Sequence, residues 1–297
     1  MNFALATDDK YALGAITCIT SILENNRDEE CFIYVLTFGL RPKTELKFRR
    51  LSEMYEIPIQ IVKLSHDSFK NIGSATHRFP MSANLRMLLP EIIKSDRVIY
   101  FDCDIIVRKN LHSFYYQNLE DKACAVVENQ GGDDIKAKNR IKKDIMYFNS
   151  GVLLINLDYW RRNQTGKEII KYLEDNPHLL YPDQDALNAV LDGKIVFCDY
   201  TYNFQQDWYG DKAWLNLRWD KWKFIDEFKD DPAIVHYTKP DKPWHASCKH
   251  PHVEWYLFYA KKHALYKRIQ EPRYLHRFFT FIVEAQEWLL LKVDKYL

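Results

Sequence analysis

The chain has 297 residues, 47% hydrophobic and 28% charged, with 42 Lys or Arg against 41 Asp or Glu. This length can bury a sizeable core in one large domain or two modest ones. The charge balance argues against a general nucleic-acid binder, which would carry a basic excess, and no apolar run is long enough to span a membrane.

The first half alternates between strand and helix signals. Residues 2–7 form a short apolar strand that ends in Asp8-Asp9. Residues 11–25 place Leu13, Ile16, Ile19, Ile22 and Leu23 at helical spacing. Residues 31–38 read as a buried strand, 43–56 as an amphipathic helix and 57–64 as another strand. This β-α-β-α-β order predicts an α/β domain with a mainly parallel central sheet and helices on both faces. Further strands are expected at 97–101, 123–127, 152–156, 194–198 and 233–237, with helices near 165–175 and 184–191. From residue 251 the pattern turns helical and rich in aromatics, which reads as a C-terminal appendage.

The N-terminal segment Met1–Lys10 has no basic start and no long apolar stretch, so no signal peptide is expected. Six cysteines stand at 18, 31, 103, 124, 198 and 248, with no pair at metal-clip spacing. They read as reduced core thiols of a cytoplasmic protein. Aromatic residues reach 15%, enough both to fill a core and to pack on the C–H face of a sugar.

The sharpest chemical signal is Asp102-Cys103-Asp104, directly after the apolar strand 97–101. Ligands of open parallel sheets bind beyond the carboxyl ends of the strands. Two carboxylates placed there repel each other unless a cation neutralises them, and a hard cation bridging to a diphosphate fits. A second cluster lies at 232–244, where His236 ends an apolar strand and Lys242 follows in a Pro-bounded loop. His236 could be a third metal ligand and Lys242 could meet a phosphate; a histidine in such a place, taken alone, is more often a satisfied strand-end residue.

At this point the chain resembles glycosyltransferase family 8, the retaining enzymes of GT-A fold that include bacterial lipopolysaccharide and lipooligosaccharide galactosyl- and glucosyltransferases and glycogenin. Five blocks match in order: Ala6-Thr7-Asp8-Asp9, Tyr100-Phe101-Asp102-Cys103-Asp104, the run from Phe148 to Asn156, the run from Asp183 to Asn188, and the run from His236 to Trp244. The resemblance implies a catalytic domain over 1–250, with a nucleotide-sugar half at about 1–108 and an acceptor half at about 109–250, followed by the tail 251–297. It implies Mn²⁺, with Mg²⁺ as the alternative, held by Asp102, Asp104 and His236. Ala6, Thr7, Asp8, Tyr11 and Lys242 would bind the nucleotide. Arg86, Asn149, Asp102 and Asp183 would hold the donor sugar, with Gln184 and Asp183 at the reacting centre. Two positions depart from the family pattern: Lys239 stands where a glycine is usual, and Leu85 precedes Arg86.

The function implied is transfer of a galactosyl or glucosyl unit from a UDP-sugar to a glycan or lipid-linked oligosaccharide acceptor, with a protein-linked glycan as the alternative. A nucleotide-sugar-binding protein without transfer activity is the alternative of another class. A haloacid dehalogenase-type phosphohydrolase would need Thr or Val where Ile106 stands, and a nucleotidyltransferase would need an early Gly-rich basic loop. The tail residues 261–297 hold eight Lys or Arg against four acids, beside Phe278, Phe279, Phe281, Trp288, Leu289 and Leu290. That composition suits either peripheral contact with an anionic inner-membrane face or packing on the protein itself.

Overall fold

The computed structural model describes residues 1–70, 81–129, 146–210 and 219–263. Strands β1 (Asn2–Ala6), β2 (Phe32–Thr37) and β3 (Ile59–Lys63) alternate with helices α1 (Ala12–Asn25) and α2 (Pro42–Tyr55), as the hydrophobic pattern predicts. All three strands run parallel, and β4 (Arg97–Phe101) joins β1 on its other side, also parallel. The short helices α3 (Leu89–Ile92) and α4 (His112–Tyr115) flank β4 in the chain. With β6 (Cys124–Glu128), β7 (Phe148–Asn156) and β8 (Ile195–Phe197) the sheet has seven strands in the order β3-β2-β1-β4-β7-β6-β8. Only β7 runs against its neighbours β4 and β6.

Side chains on a strand alternate between faces, and here both faces are apolar. Phe3, Leu5, Ile99, Phe101, Val152 and Leu154 pack with α1 in one core. Ala4, Ala6, Val98, Tyr100, Leu153 and Ile155 pack in the other. That second core is completed by helices α5 (Leu157–Arg162), α6 (Thr165–Asp175) and α7 (Pro182–Val190). The sheet therefore has a helical layer on each face.

The sequence pattern does not reveal a second sheet, of three strands in the order β5-β10-β9. Strand β5 (Ile105–Val107) and β10 (Ile234–His236) have three residues each, and β9 (Phe204–Gln205) has two. β10 falls within the strand expected at 233–237, whereas β5 and β9 are too short to carry a readable period of two. The 3₁₀ segment Met81–Leu88, which carries Arg86, is likewise unannounced. Helix α8 (Trp219–Phe228) precedes β10.

Helix α9 (Val253–Ala260) opens the C-terminal segment and packs Tyr256, Leu257, Tyr259 and Ala260 against Ile106, Val235 and Tyr237. Asn25 donates to the Tyr259 hydroxyl at 2.9 Å, the His263 ring meets the Thr17 hydroxyl at 3.0 Å, and Lys262 pairs with Glu24 at 2.8 Å. The start of the segment is thus docked on α1. Residues 264–297, which hold most of the proposed membrane-facing tail, lie outside the described residues. Among the described residues no helix is long and apolar enough to cross a membrane. All six cysteines are free thiols, and burial raises the pKa of each.

Candidate active site

Three strand registers build the site. The β4–β7 pairing sets Phe101 opposite Val152, so the Asp102 N–H donates to the Gly151 carbonyl at 2.8 Å. The β5–β10 pairing sets His236 opposite Ile105, the residue after Asp104. The β9–β10 pairing sets His236 opposite Gln205, just past Asn203. Three segments distant in sequence therefore meet at the carboxyl end of β4. Asp102, Asp104 and His236 offer ligand atoms that all lie within 4.8 Å of one another. Two carboxylates and an imidazole suit Mn²⁺, which accepts both oxygen and nitrogen ligands.

The electrostatics of the two carboxylates differ. Burial disfavours the charge of Asp104, but Lys242 at 2.5 Å and His236 at 3.2 Å outweigh it and hold the carboxyl well below the usual range. Burial pushes Asp102 up; Arg86 opposes the shift and the nearby Asp104 adds to it. Asp102 Oδ1 accepts from Arg86 at 3.0 Å and from the Tyr100 hydroxyl at 3.2 Å, which leaves Oδ2 on the side of Gly151.

Gly151 is there for space. A Cβ at this position would sit inside the His236 ring's contact distance, 2.8 Å from Nδ1 and 3.0 Å from Asp102 Oδ2. The His236 ring is buried and cannot withdraw cheaply. Gly151→Ala is expected to fold with reduced stability and, if Asp102, Asp104 and His236 hold Mn²⁺, to lose Mn²⁺ affinity by at least about tenfold, because the His236 ring is displaced. A Mn²⁺ titration giving wild-type affinity for this variant would show that the ring has room to move. Gly14 is similarly constrained: a Cβ would lie 2.5 Å from the Cys103 carbonyl and 2.8 Å from the Trp244 ring, so α1 packs directly on the Asp102–Asp104 backbone.

Arg86 is 1% exposed. Its Nε donates to the Ala83 carbonyl at 2.8 Å and its Nη1 to the Ser150 carbonyl at 2.5 Å. Its Nη2 bridges Asp102 at 3.0 Å and Asp183 at 3.1 Å, and the guanidinium lies 4.2 Å from the Tyr100 ring centre. Burial works against its charge, yet Tyr100, Asp102 and Asp183 leave it more firmly protonated than usual. Arg86 thus lines the cleft and is held in place there by these contacts.

Helix α7 is latched to β7, and to Tyr147 just before it, through three of its side chains. Gln184 Oε1 accepts from the Ser150 N–H at 3.0 Å. Asn188 exchanges both its amide groups with the Phe148 backbone at 2.8 and 2.9 Å. Asp185 is fully buried, accepts from the Tyr147 hydroxyl and takes the Tyr181 N–H at 2.9 Å. Asp183 turns instead toward Arg86 and the Ser150 hydroxyl. Among these, Asp185, Asn188, Tyr147 and Ser150 are positioning groups that the sequence analysis gave no role.

The cleft has a volume of about 570 Å³, within the range of ligand sites. Ala6, Tyr11, Arg86, Asn149, Asp183, Gln184 and Lys242 all line it, together with Asp102, Asp104 and His236. Thr7 is 1% exposed, and neither it nor Asp8 is part of the lining. Asp8 Oδ1 accepts from the Lys10 and Tyr11 N–H groups at 2.9 Å each and so fastens the start of α1. Tyr11 packs edge-on to Trp244 with ring centres 6.1 Å apart. Lys242 also donates to the Tyr237 carbonyl at 2.8 Å. Lys239 lines the cleft and pairs with Asp207 at 2.5 Å.

Known proteins resemble this chain in sequence, and a solved structure resembles it in fold. General stress protein A of Bacillus subtilis is 26% identical over 271 residues, which span 87% of this chain and 92% of that protein. The lipopolysaccharide glucosyltransferase WaaO of Escherichia coli K12 is 28% identical over 256 residues, 82% of this chain and 73% of that one. The crystal structure of galactosyltransferase LgtC, in complex with donor and acceptor sugar analogs, superposes with a TM-score of 0.77 at 25% identity and covers 89% of this chain and 96% of its own. The model of glycosyl transferase family 8 matches residues 2–248, a span that includes every residue of the cleft described above, and the chain belongs to that family.

Proposed function

We propose that the protein transfers a hexosyl unit, galactose or glucose, from a UDP-sugar to the glycan of a lipopolysaccharide or lipooligosaccharide core, with retention of the anomeric configuration. The observation that carries this reading is the convergence of Asp102, Asp104 and His236 with Lys242, Asp183 and Gln184 on one cleft. WaaO and other similar proteins are lipopolysaccharide glycosyltransferases by name, which favours that acceptor over a protein-linked glycan.

The chain's own residues suit this chemistry. A bound Mn²⁺ would stabilise the negative charge that develops on the leaving diphosphate. Lys242 adds a fixed cation at the same end of the cleft. Asp183, oriented by Arg86, and the Asn149 amide offer rigid partners for sugar hydroxyls. Asp185 is turned into the core, so it presents no carboxylate to the anomeric carbon. Gln184 carries an amide, a poor nucleophile, and Asp183 is committed to Arg86. This favours front-face attack, in which the departing phosphate helps take the acceptor's proton, over a covalent intermediate on the enzyme.

The direct test is a panel of UDP-sugars scored for UDP release with Mn²⁺ and with chelator, followed by product NMR on the favoured donor with core oligosaccharide. Metal-stimulated transfer and an α-linked product are expected. A β-linked product from an α-donor would overturn the retaining assignment, and an absence of metal-dependent release across the panel would overturn transferase activity itself. UDP is expected to compete for the donor site at least about tenfold better than GDP. Equal inhibition by the two would remove uracil recognition from the proposal.

A further inference from the structure

A chain of buried amides runs from the proposed metal site to the proposed sugar site. His236 Nδ1 lies 3.0 Å from Asn203 Oδ1, Asn203 Nδ2 lies 2.9 Å from Asn149 Oδ1, and Asn149 Nδ2 lies 3.2 Å from Asn129 Oδ1. Asn203 is fully buried, and His236, Asn149 and Asn129 are nearly so. Side-chain amides and imidazoles are ambiguous in isolation, since either end can be donor or acceptor. Here one backbone group resolves the sense. The Gly151 N–H can only donate, and it points at Asn149 Oδ1 at 3.0 Å. That oxygen is therefore the acceptor, so the Asn203 atom facing it must be its NH₂. The other end of Asn203 is then its carbonyl oxygen, and His236 Nδ1 must carry a proton to meet it.

We infer that Asn203 is a positioning residue with two separable duties: its oxygen holds the His236 ring with Nδ1 protonated and Nε2 turned toward Asp104, and its NH₂ holds the Asn149 amide at the sugar end of the cleft. The inference rests on the metal-dependent transferase reading. A metal-binding histidine is oriented by whatever its other ring nitrogen bonds, and loss of such a partner costs about 10- to 100-fold in metal affinity. The Gly151 backbone lies against the ring, close enough that a Cβ there would sit 2.8 Å from Nδ1. Asn149 in turn has its oxygen doubly engaged, by Gly151 and Asn203, so its NH₂ group faces Asn129 and the cleft.

Two substitutions separate the duties. Asn203→Leu removes both. Asn203→Asp keeps an oxygen for His236 but sets a second oxygen against Asn149 Oδ1, where the NH₂ had been. Mn²⁺ binding to the nucleotide-free protein is read by electron paramagnetic resonance, and binding of UDP, UDP-galactose and UDP-glucose by calorimetry. Asn203→Leu is expected to lose about 10- to 100-fold in Mn²⁺ affinity. Asn203→Asp is expected to keep Mn²⁺ affinity within about threefold and UDP affinity unchanged, while the better-bound UDP-sugar weakens by about tenfold, the scale of one lost hydrogen bond. If Asn203→Leu does not fold, Asn203→Asp still decides. Equal losses of Mn²⁺, UDP and UDP-sugar binding in Asn203→Asp would reduce Asn203 to a packing residue and overturn the inference, as would wild-type Mn²⁺ affinity in Asn203→Leu. Wild-type protein and Asp104→Asn are run alongside: wild-type protein that binds no Mn²⁺ would overturn the metal reading beneath it.

Discussion

Asp102→Asn and Asp104→Asn are each expected to lower Mn²⁺-supported turnover by on the order of 10²–10³-fold or more, while the protein still folds. The two losses have different local causes. In Asp102→Asn the Oδ1 side can still accept from Arg86 and Tyr100, but an NH₂ replaces the oxygen that faces Gly151 and the proposed ion. Arg86 keeps Asp183 and the Ser150 and Ala83 carbonyls, so its buried charge stays compensated. In Asp104→Asn the charge partner of Lys242 and His236 is removed, and Lys242 retains the Tyr237 carbonyl. Turnover is measured as UDP release, metal affinity by electron paramagnetic resonance, and folding by circular dichroism. Wild-type turnover in either variant would place the metal elsewhere.

Most strands of the large sheet were legible because each holds a run of four or more apolar residues bounded by polar or turn residues, as at 97–101 and 152–156; β3 alternates instead, with Gln60 and Lys63 between apolar neighbours. The Asp-x-Asp end of β4 was legible for the same reason: two acids stand out after such a run. What could not be read was how distant segments meet. His236 reaches Asp104 only through pairing between β5 and β10, three-residue strands with no periodicity of their own. Asn203 sits between two aromatics ahead of a two-residue strand, and nothing in its neighbours marks it as the partner of a histidine 33 positions later. The roles inside Asp183–Asn188 also differ more than the block suggests. Four polar residues lie within six positions, yet the helix sends Asp183 to Arg86, Gln184 to Ser150, Asp185 into the core and Asn188 to Phe148. Helical geometry predicts that neighbours diverge, but the direction each takes depends on β7, which the sequence does not place beside α7.

Asp183→Ala is expected to be more damaging than Gln184→Ala, with a loss of roughly a hundredfold in kcat against a smaller, measurable loss for the glutamine. Asp183 stands in the first turn of α7, and an acid there could serve simply to cap the helix. The geometry gives that duty to others. The N-cap residue is Tyr181, its N–H is taken by the Asp185 carboxylate, and Pro182 has no N–H to satisfy. Asp183 instead spends its carboxylate on Arg86 at 3.1 Å and the Ser150 hydroxyl at 3.4 Å, at the lip of the cleft. Removing it leaves Arg86 with Asp102 as its one remaining carboxylate among these partners, and takes from the cleft the rigidly held group proposed to bind the donor's hydroxyls. Misplacement of the donor by a fraction of an ångström then lowers the population of reactive geometry rather than the affinity alone, so kcat falls as well as donor binding. Gln184→Ala acts differently. It leaves the buried Ser150 N–H without its acceptor, which costs about 1–3 kcal/mol of stability, and it removes a dipole rather than a charge from the reacting centre. Thermal unfolding should therefore shift more for Gln184→Ala, and kcat more for Asp183→Ala. Asp183→Ser retains a residue able to cap; full activity in that variant would return Asp183 to a purely structural duty and end its assignment to the donor sugar.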